Sequence, residues 1–250
     1  MRGVLLAGGA GARLRPLTEV TNKHLLPVYK KPMILYPLET LVRAGIREIL
    51  IVTGGEHVGD FFRLLGSGKR QGARLSYAMQ EGNDGTGAAL RLAEDFVGNR
   101  DFMVILGDNV LVGDPLGFLK DFPARRHEFP AKILIAKVTD PRNYGVVSFR
   151  GRKITSIVEK PRRPRTNYVS TGLWLFTPDV FRRLRTLIRS VRGEYEVTGV
   201  LAEYAREGKL GYSISRSVWT DAGTFDSLYR ATVLMRRLEK RRERTEGRSR

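Results

Sequence analysis

Five short apolar runs rich in branched side chains set the frame of this chain: Val4–Ala7, Ile49–Thr53, Leu75–Met79, Phe102–Leu106 and Ile133–Val138. Runs of this length read as strands buried within a sheet. Between them, Leu38, Leu41, Val42 and Ile46 recur at helical spacing, with Gly45 closing the stretch. Ala89, Leu92, Ala93 and Phe96 repeat the pattern after Gly85-Thr86-Gly87. Strands alternating with helices predict an α/β fold, Rossmann-like, with a mostly parallel sheet and helices on both faces. Ligands of such sheets bind beyond the carboxyl ends of the strands. The loop after Val4–Ala7 and the segment Gly107-Asp108-Asn109 both fall at that edge.

From Tyr144 the pattern changes to strands with turns, through Val146–Phe149, Ile154–Val158 and Val169–Phe176. A smaller β-rich portion is expected there. Thr177-Pro178-Asp179 reads as a helix start, with Thr177 as the cap and proline in the first turn. A further helix runs near Val197–Arg206 and stops at Gly208. Thr224 opens the last one, on which Leu228, Ala231, Leu234 and Leu238 mark an apolar stripe. No repeat or low-complexity linker divides the chain, so a single domain over 1–235 is expected, followed by a basic tail over 236–250.

The segment after the first strand carries glycines at 8, 9 and 11, then Arg13 and Lys23. Glycines let backbone N–H groups approach an anion closely, and two cations within reach complete a phosphate-handling arrangement. It is neither a Walker A loop, which closes on Gly-Lys-Ser/Thr, nor the dinucleotide fingerprint. Pro16 and Pro27 predict a long loop instead of a helix. Asp108 ends an apolar strand, where an idle carboxylate would be costly. It reads either as a turn cap or as a ligand of Mg²⁺, which takes a few carboxylates together with phosphate oxygens. Asp221, between Trp219 and Gly223, is its distant partner or a helix cap. Gln80 ends the Leu75–Met79 strand, and its amide can read the imide edge of thymine or uracil, with Gly85 completing the readout. His24, His57 and His127 lie in no constellation suited to acid–base work and read as structural or exposed.

Taken together, Gly3–Pro16, Lys23–Pro27, Lys31–Ile34, Gly107–Asn109, Tyr144–Val147, Glu159–Pro161, Thr171-Gly172 and Trp219–Thr224 resemble, in order, the signature of the sugar-1-phosphate nucleotidyltransferases. The resemblance spans nearly the whole chain. It implies a nucleotide-binding part over about 1–140 and a sugar-binding part over about 141–220. It places Leu6, Gly8, Gly9, Gly11, Ala12, Arg13, Gln80 and Gly85 at the nucleotide. Asn109, Tyr144, Gly145, Glu159, Lys160, Ser170 and Trp174 fall at the sugar, with Pro161 keeping the backbone at Lys160 extended. Asp108 and Asp221 match the positions that hold a catalytic Mg²⁺. The catalytic set so implied is Arg13, Lys23, Asp108, Lys160 and Asp221. The substrates expected are dTTP and glucose 1-phosphate, with UTP or another hexose 1-phosphate as the alternative. Two positions depart from the family: Ser170 stands where valine is usual, and Gly199 where aspartate is usual.

The reaction expected is in-line attack by the sugar phosphate on the α-phosphorus. Arg13 and Lys23 would stabilise the departing pyrophosphate, and Lys160 would orient the nucleophile. A nonenzymatic nucleotide-sugar sensor or a nucleic-acid-associated protein on the same fold is the second reading.

The balance of 44 Lys and Arg against 26 Asp and Glu gives a net charge of +18 over 250 residues. The segment 236–250 supplies +5 of it, and the rest is spread along the chain without interleaved aromatics. Such a charge fits a solvated surface whose field draws anionic substrates better than a nucleic-acid module. With no cysteine there is neither disulfide nor thiolate metal site. No apolar run approaches the roughly 18 residues of a membrane span. No signal peptide is seen, so a cytoplasmic location without membrane or nucleic-acid partners is the expectation, and the resemblance implies a homo-oligomer.

Overall fold

The computed structural model describes residues 1–246. Its first half alternates strand and helix. β1 (Arg2–Ala7) leads through a long loop and the short ribbon β2 (Pro27–Val28) and β3 (Lys31–Pro32) to α1 (Leu35–Arg43). Then follow β4 (Glu48–Gly54), α2 (Val58–Leu65), β5 (Arg74–Gln80), the helical pieces α3 (Thr86–Arg91) and α4 (Glu94–Val97), and β6 (Phe102–Leu106). β5, β4, β1 and β6 lie side by side, all parallel. The second half comprises β7 (Asn109–Val112), the short α5 (Leu116–Leu119) and α6 (Phe122–Arg125), β8 (Ala131–Lys137), β9 (Gly145–Arg150), β10 (Lys153–Glu159) and β11 (Tyr168–Phe176). It ends with α7 (Asp179–Thr186), α8 (Val197–Arg206), β12 (Leu210–Ile214), β13 (Val218–Asp221) and α9 (Phe225–Glu246).

One nine-stranded sheet results, in which β11 and β10 alone run against the direction of the others. β11 joins the two halves. Its end pairs with β6 and its beginning meets β9, at Val169 and Val146. The pairing shifts between Ser170 and Trp174, where Gly172 takes φ +82°. A side chain at Gly172 would meet Leu106 Cδ1 at 2.6 Å.

Period-2 alternation along the parallel strands builds two cores, as expected of a sheet covered on both faces. Val4, Leu6, Val52 and Val104 pack on the side of α3, α7 and α8. Leu5, Ile51, Met103 and Ile105 pack on the side of α1 and α2. A third cluster ties the long loop to α9 through Leu14, Leu26, Val28, Val110, Ala222 and Ala231.

Two local expectations are corrected. Thr177 does not cap α7: the helix starts at Asp179 behind Pro178, with no side chain bonded to its first N–H groups. The apolar seam of α9 runs through Leu228, Ala231 and Met235. Leu234 is not part of that cluster and lines a surface hollow with Tyr229 and Val233. α9 itself continues unbroken from Phe225 through residue 236 to Glu246. No helix among the described residues is long and apolar enough to cross a membrane.

Candidate active site

β1 ends at Ala7, and the chain to Leu26 then makes only single turns of 3-10 helix, at Ala12–Leu14, Leu17–Glu19 and Lys23–Leu25. The loop folds back over the carboxyl edge of the sheet because its glycines let it sit close. A Cβ on Gly8 would lie 2.4 Å from Gln80 Oε1, at the end of β5. Gly9 packs on the Lys23 side chain, and Gly11, at φ +68°, on Thr18 and Lys23. Leu6 is buried and its carbonyl accepts the Gly107 N–H at 2.8 Å. That bond ties the loop's root to the turn carrying Asp108. Ala12 and Arg13 stay exposed at the rim.

Gln80 is buried, and its Nε2 donates to the Gly85 carbonyl at 3.2 Å. That carbonyl also accepts the Ala89 N–H, so Gly85 is already engaged from within the chain. One amide hydrogen of Gln80 is thus committed to Gly85.

Asp108 follows β6, and Asp221 ends β13. The antiparallel ribbon of β13 with β7 sets Asp221 opposite Asn109, one residue from Asp108. Between the carboxylates lies Gly223. A Cβ built on it would sit 3.2 Å from Asp108 Oδ2, 3.3 Å from Asp221 Oδ2 and 3.4 Å from Arg13 Nη2. Glycine therefore keeps open a niche ringed by two carboxylates and a guanidinium. Hard oxygen donors of this kind, few in number, suit Mg²⁺ that takes its other ligands from phosphate and water. Among the described residues no larger group of His, Asp and Glu could hold a metal.

Lys23 Nζ donates to Asp108 Oδ2 at 2.6 Å. Burial pushes the Asp108 carboxyl up, but Lys23 above all outweighs it and holds the pKa down to about 2. His24 is buried beside them, its ring bonded to Asn22 Oδ1 at 2.8 Å. Desolvation, aided by Lys23, lowers its pKa to about 3, so it stays neutral and serves the loop's structure.

Where the sugar is expected, Glu159 ends β10 and Lys160 follows at φ +42°. The backbone at Lys160 is thus left-handed, not extended as Pro161 led us to expect. The Lys160 N–H donates to the Tyr144 carbonyl at 2.9 Å, a turn-like tether that overrides the proline's preference. Glu159 Oε2 accepts from Thr198 Oγ1 at 2.6 Å, and Oε1 lies 3.7 Å from both Lys160 Nζ and Arg192 Nη1. Burial lowers the Lys160 pKa, with Arg192 and Arg13 adding to it against Glu159. Gly145 admits Glu159: a Cβ there would stand 3.3 Å from Oε2. Asn109 is buried and its Oδ1 accepts the Trp219 indole N–H. Tyr144 donates its hydroxyl to Asp221 Oδ1 at 2.7 Å.

The two departures have local accounts. Ser170 Oγ accepts the indole N–H of Trp174 at 2.9 Å, so the hydroxyl is used inside the chain. Trp174 itself is buried in the core. At Gly199 a Cβ would lie 2.8 Å from Leu187, the same side chain that crowds Gly87. Leu187 thus fills the room an aspartate would need. Arg192 and Thr198 were not singled out from sequence. Nothing in Arg192-Gly193-Glu194 signals that the arginine turns back onto Glu159.

The nucleotidyl transferase family model matches residues 2–237. The glucose-1-phosphate thymidylyltransferase of Mycolicibacterium smegmatis is 42% identical over 245 residues, covering 96% of this chain and 84% of the relative. That of Neisseria meningitidis is 39% identical over 243 residues, with the same coverages. Among solved structures, a Bacillus anthracis protein described as a glucose-1-phosphate thymidylyltransferase, in complex with a sucrose, superimposes with a TM-score of 0.88. It is 44% identical, and the match covers 94% of each chain. A UDP-glucose pyrophosphorylase complexed with UDP-glucose follows at TM-score 0.81 and 25% identity, covering 94% of this chain and 98% of the other. The fold agrees with these matches, and the chain belongs to the nucleotidyl transferase family.

Proposed function

We propose that the chain joins dTTP and glucose 1-phosphate to give dTDP-glucose and pyrophosphate. The observation that carries this is the niche over Gly223, where Asp108, Asp221 and Arg13 converge at the carboxyl edge of the sheet. The names of the relatives support the choice of substrates.

Asp108 and Asp221 would hold a Mg²⁺ ion, which supplies charge neutralisation at the reacting phosphates. The glycine loop gives its backbone N–H groups to the triphosphate, and Arg13 places a positive charge where pyrophosphate leaves. Lys160 holds the sugar phosphate, with Glu159 offering acceptors to sugar hydroxyls. A nucleophilic phosphate oxygen forms its bond to the α-phosphorus as the α–β bridging bond breaks. That oxygen is already ionised at neutral pH, so no base is required. The buried, neutral His24 fits this economy. Self-association belongs to the same reading, with exposed Phe225 and Tyr229 on α9 offering apolar surface for it.

Pyrophosphate release across a grid of nucleoside triphosphates and hexose 1-phosphates tests the reading. We expect dTTP and UTP to react with glucose 1-phosphate, and purines to lag. The imide edge of thymine or uracil offers N3–H to Gln80 Oε1 and a carbonyl to its second amide hydrogen. Gln80→Glu should depress both pyrimidine activities. A preference for ATP or GTP would remove Gln80 from the base site.

A further inference from the structure

Tyr144 makes three separate connections in the site. Its hydroxyl donates to Asp221 Oδ1 at 2.7 Å. Its carbonyl accepts the Lys160 N–H at 2.9 Å. Its ring stands edge-on to Trp219, with centroids 5.6 Å apart, and the Trp219 indole in turn donates to Asn109. The other oxygen of Asp221 is held from the opposite side, by the Gly223 N–H at 3.1 Å and Ser227 Oγ at 3.2 Å. With both oxygens bonded, the carboxylate has a single orientation, and Oδ2 is the one that faces the niche over Gly223. The phenol has one hydrogen, and it is given to Asp221.

We infer that Tyr144 is a positioning residue for Asp221, coupling this metal-binding carboxylate to the backbone that carries Lys160. The inference rests on the proposed metal role of Asp221 and deepens it. A sugar phosphate that pulls on Lys160 acts on the carbonyl of the residue whose hydroxyl orients Asp221. A residue serving only as a sugar contact would offer its phenol to the sugar, whereas here the donor is spent on a carboxylate.

The test is Tyr144→Phe, which removes one oxygen and keeps the ring against Trp219. Mn²⁺ binding is measured by electron paramagnetic resonance on the intact chain saturated with α,β-methylene dTTP. Loss of an outer partner of a metal ligand should weaken Mn²⁺ by about tenfold or more. Turnover should fall at limiting Mg²⁺ and recover at high Mg²⁺, with the KM for glucose 1-phosphate unchanged. Unchanged Mn²⁺ affinity with a raised sugar KM would overturn the inference and leave Tyr144 a sugar contact. Asp221→Asn separates the two claims. If it weakens Mn²⁺ while Tyr144→Phe does not, only the role of Tyr144 falls. If neither variant changes Mn²⁺ affinity, the metal reading falls with it.

Discussion

At the scale of single residues, the Lys23–Asp108 pair makes the clearest demand on solution behaviour. Asp108 is held at a pKa of about 2 against burial, chiefly by the ammonium 2.6 Å away. A carboxyl depressed in the folded state contributes stability that is present above its ordinary value near 4 and lost as pH falls toward 2. Lys23→Met removes the cation and leaves burial in command, so the Asp108 pKa should rise above that of the unfolded chain. The sign then reverses: folded Asp108 binds the extra proton, and the variant regains stability as pH falls. In metal-free buffer at pH 7 we expect Lys23→Met to cost on the order of 3 kcal/mol in urea unfolding. The gap to the parent should narrow steadily toward pH 4, and a gap constant over that range would contradict the pairing. Both partners were legible as candidates, Lys23 from the loop and Asp108 from its place after an apolar run. Their contact was not, because local sequence says nothing about groups 85 residues apart. The same holds for Tyr144, read as a sugar residue but bonded to Asp221 across 77 positions.

At the scale of elements, β1, β4 and β6 were readable because each is buried on both faces and so must be continuously apolar, whereas the edge strand β5 is half-exposed and showed only as a short run. The ribbon of β7 and β13 was not. Val218-Trp219-Thr220-Asp221 is half-exposed, without alternation, and owes its strand form to pairing with residues 109–112. Yet that ribbon brings Asp221 to Asp108. The turn from β13 into α9 then completes the site. Thr224 Oγ1 accepts the Ser227 N–H at 3.2 Å, while Ser227 Oγ accepts the Thr224 N–H at 3.0 Å. This reciprocal cap fixes the start of α9 and brings Ser227 onto Asp221. Gly223 lies inside the turn. Gly223→Ala adds one methyl, placed 3.2 to 3.4 Å from both carboxylates and Arg13. The methyl pushes these groups by a few tenths of an ångström and takes up the niche itself, and a misplacement of about 1 Å in what binds there costs about a hundredfold in rate. We therefore expect kcat to fall by that factor while the thermal midpoint shifts little. An active Gly223→Ala enzyme would mean that the niche is not where phosphates meet metal.

At the scale of the whole molecule, the charge of +18 must be reconciled with an enzyme of small anionic substrates. Much of the basic surface is internally engaged. Arg2, Arg74 and Arg100 converge on Glu48, and Arg183 spans Asp179, Glu203 and Glu207. Arg189 reaches Asp84, and Arg185 reaches Glu94. Guanidinium groups held in this way are poorly placed to track a nucleic-acid backbone, but their field still extends into solvent. Arg13, by contrast, is exposed at the mouth of the niche, and Lys160 is only half-buried behind it. A field of this kind raises the local concentration of a triphosphate without contributing to the chemical step. It is also screened over about 8–10 Å at ordinary ionic strength. Raising KCl from about 50 mM to about 200 mM should therefore increase the KM for dTTP several-fold and leave kcat nearly unchanged. Duplex DNA added in the same buffers should neither inhibit turnover nor stay bound at the higher salt, since phosphate-driven binding falls steeply across that interval. Salt-independent KM values together with DNA retained at 200 mM KCl would reverse the assignment, giving the basic surface to a polyanion partner.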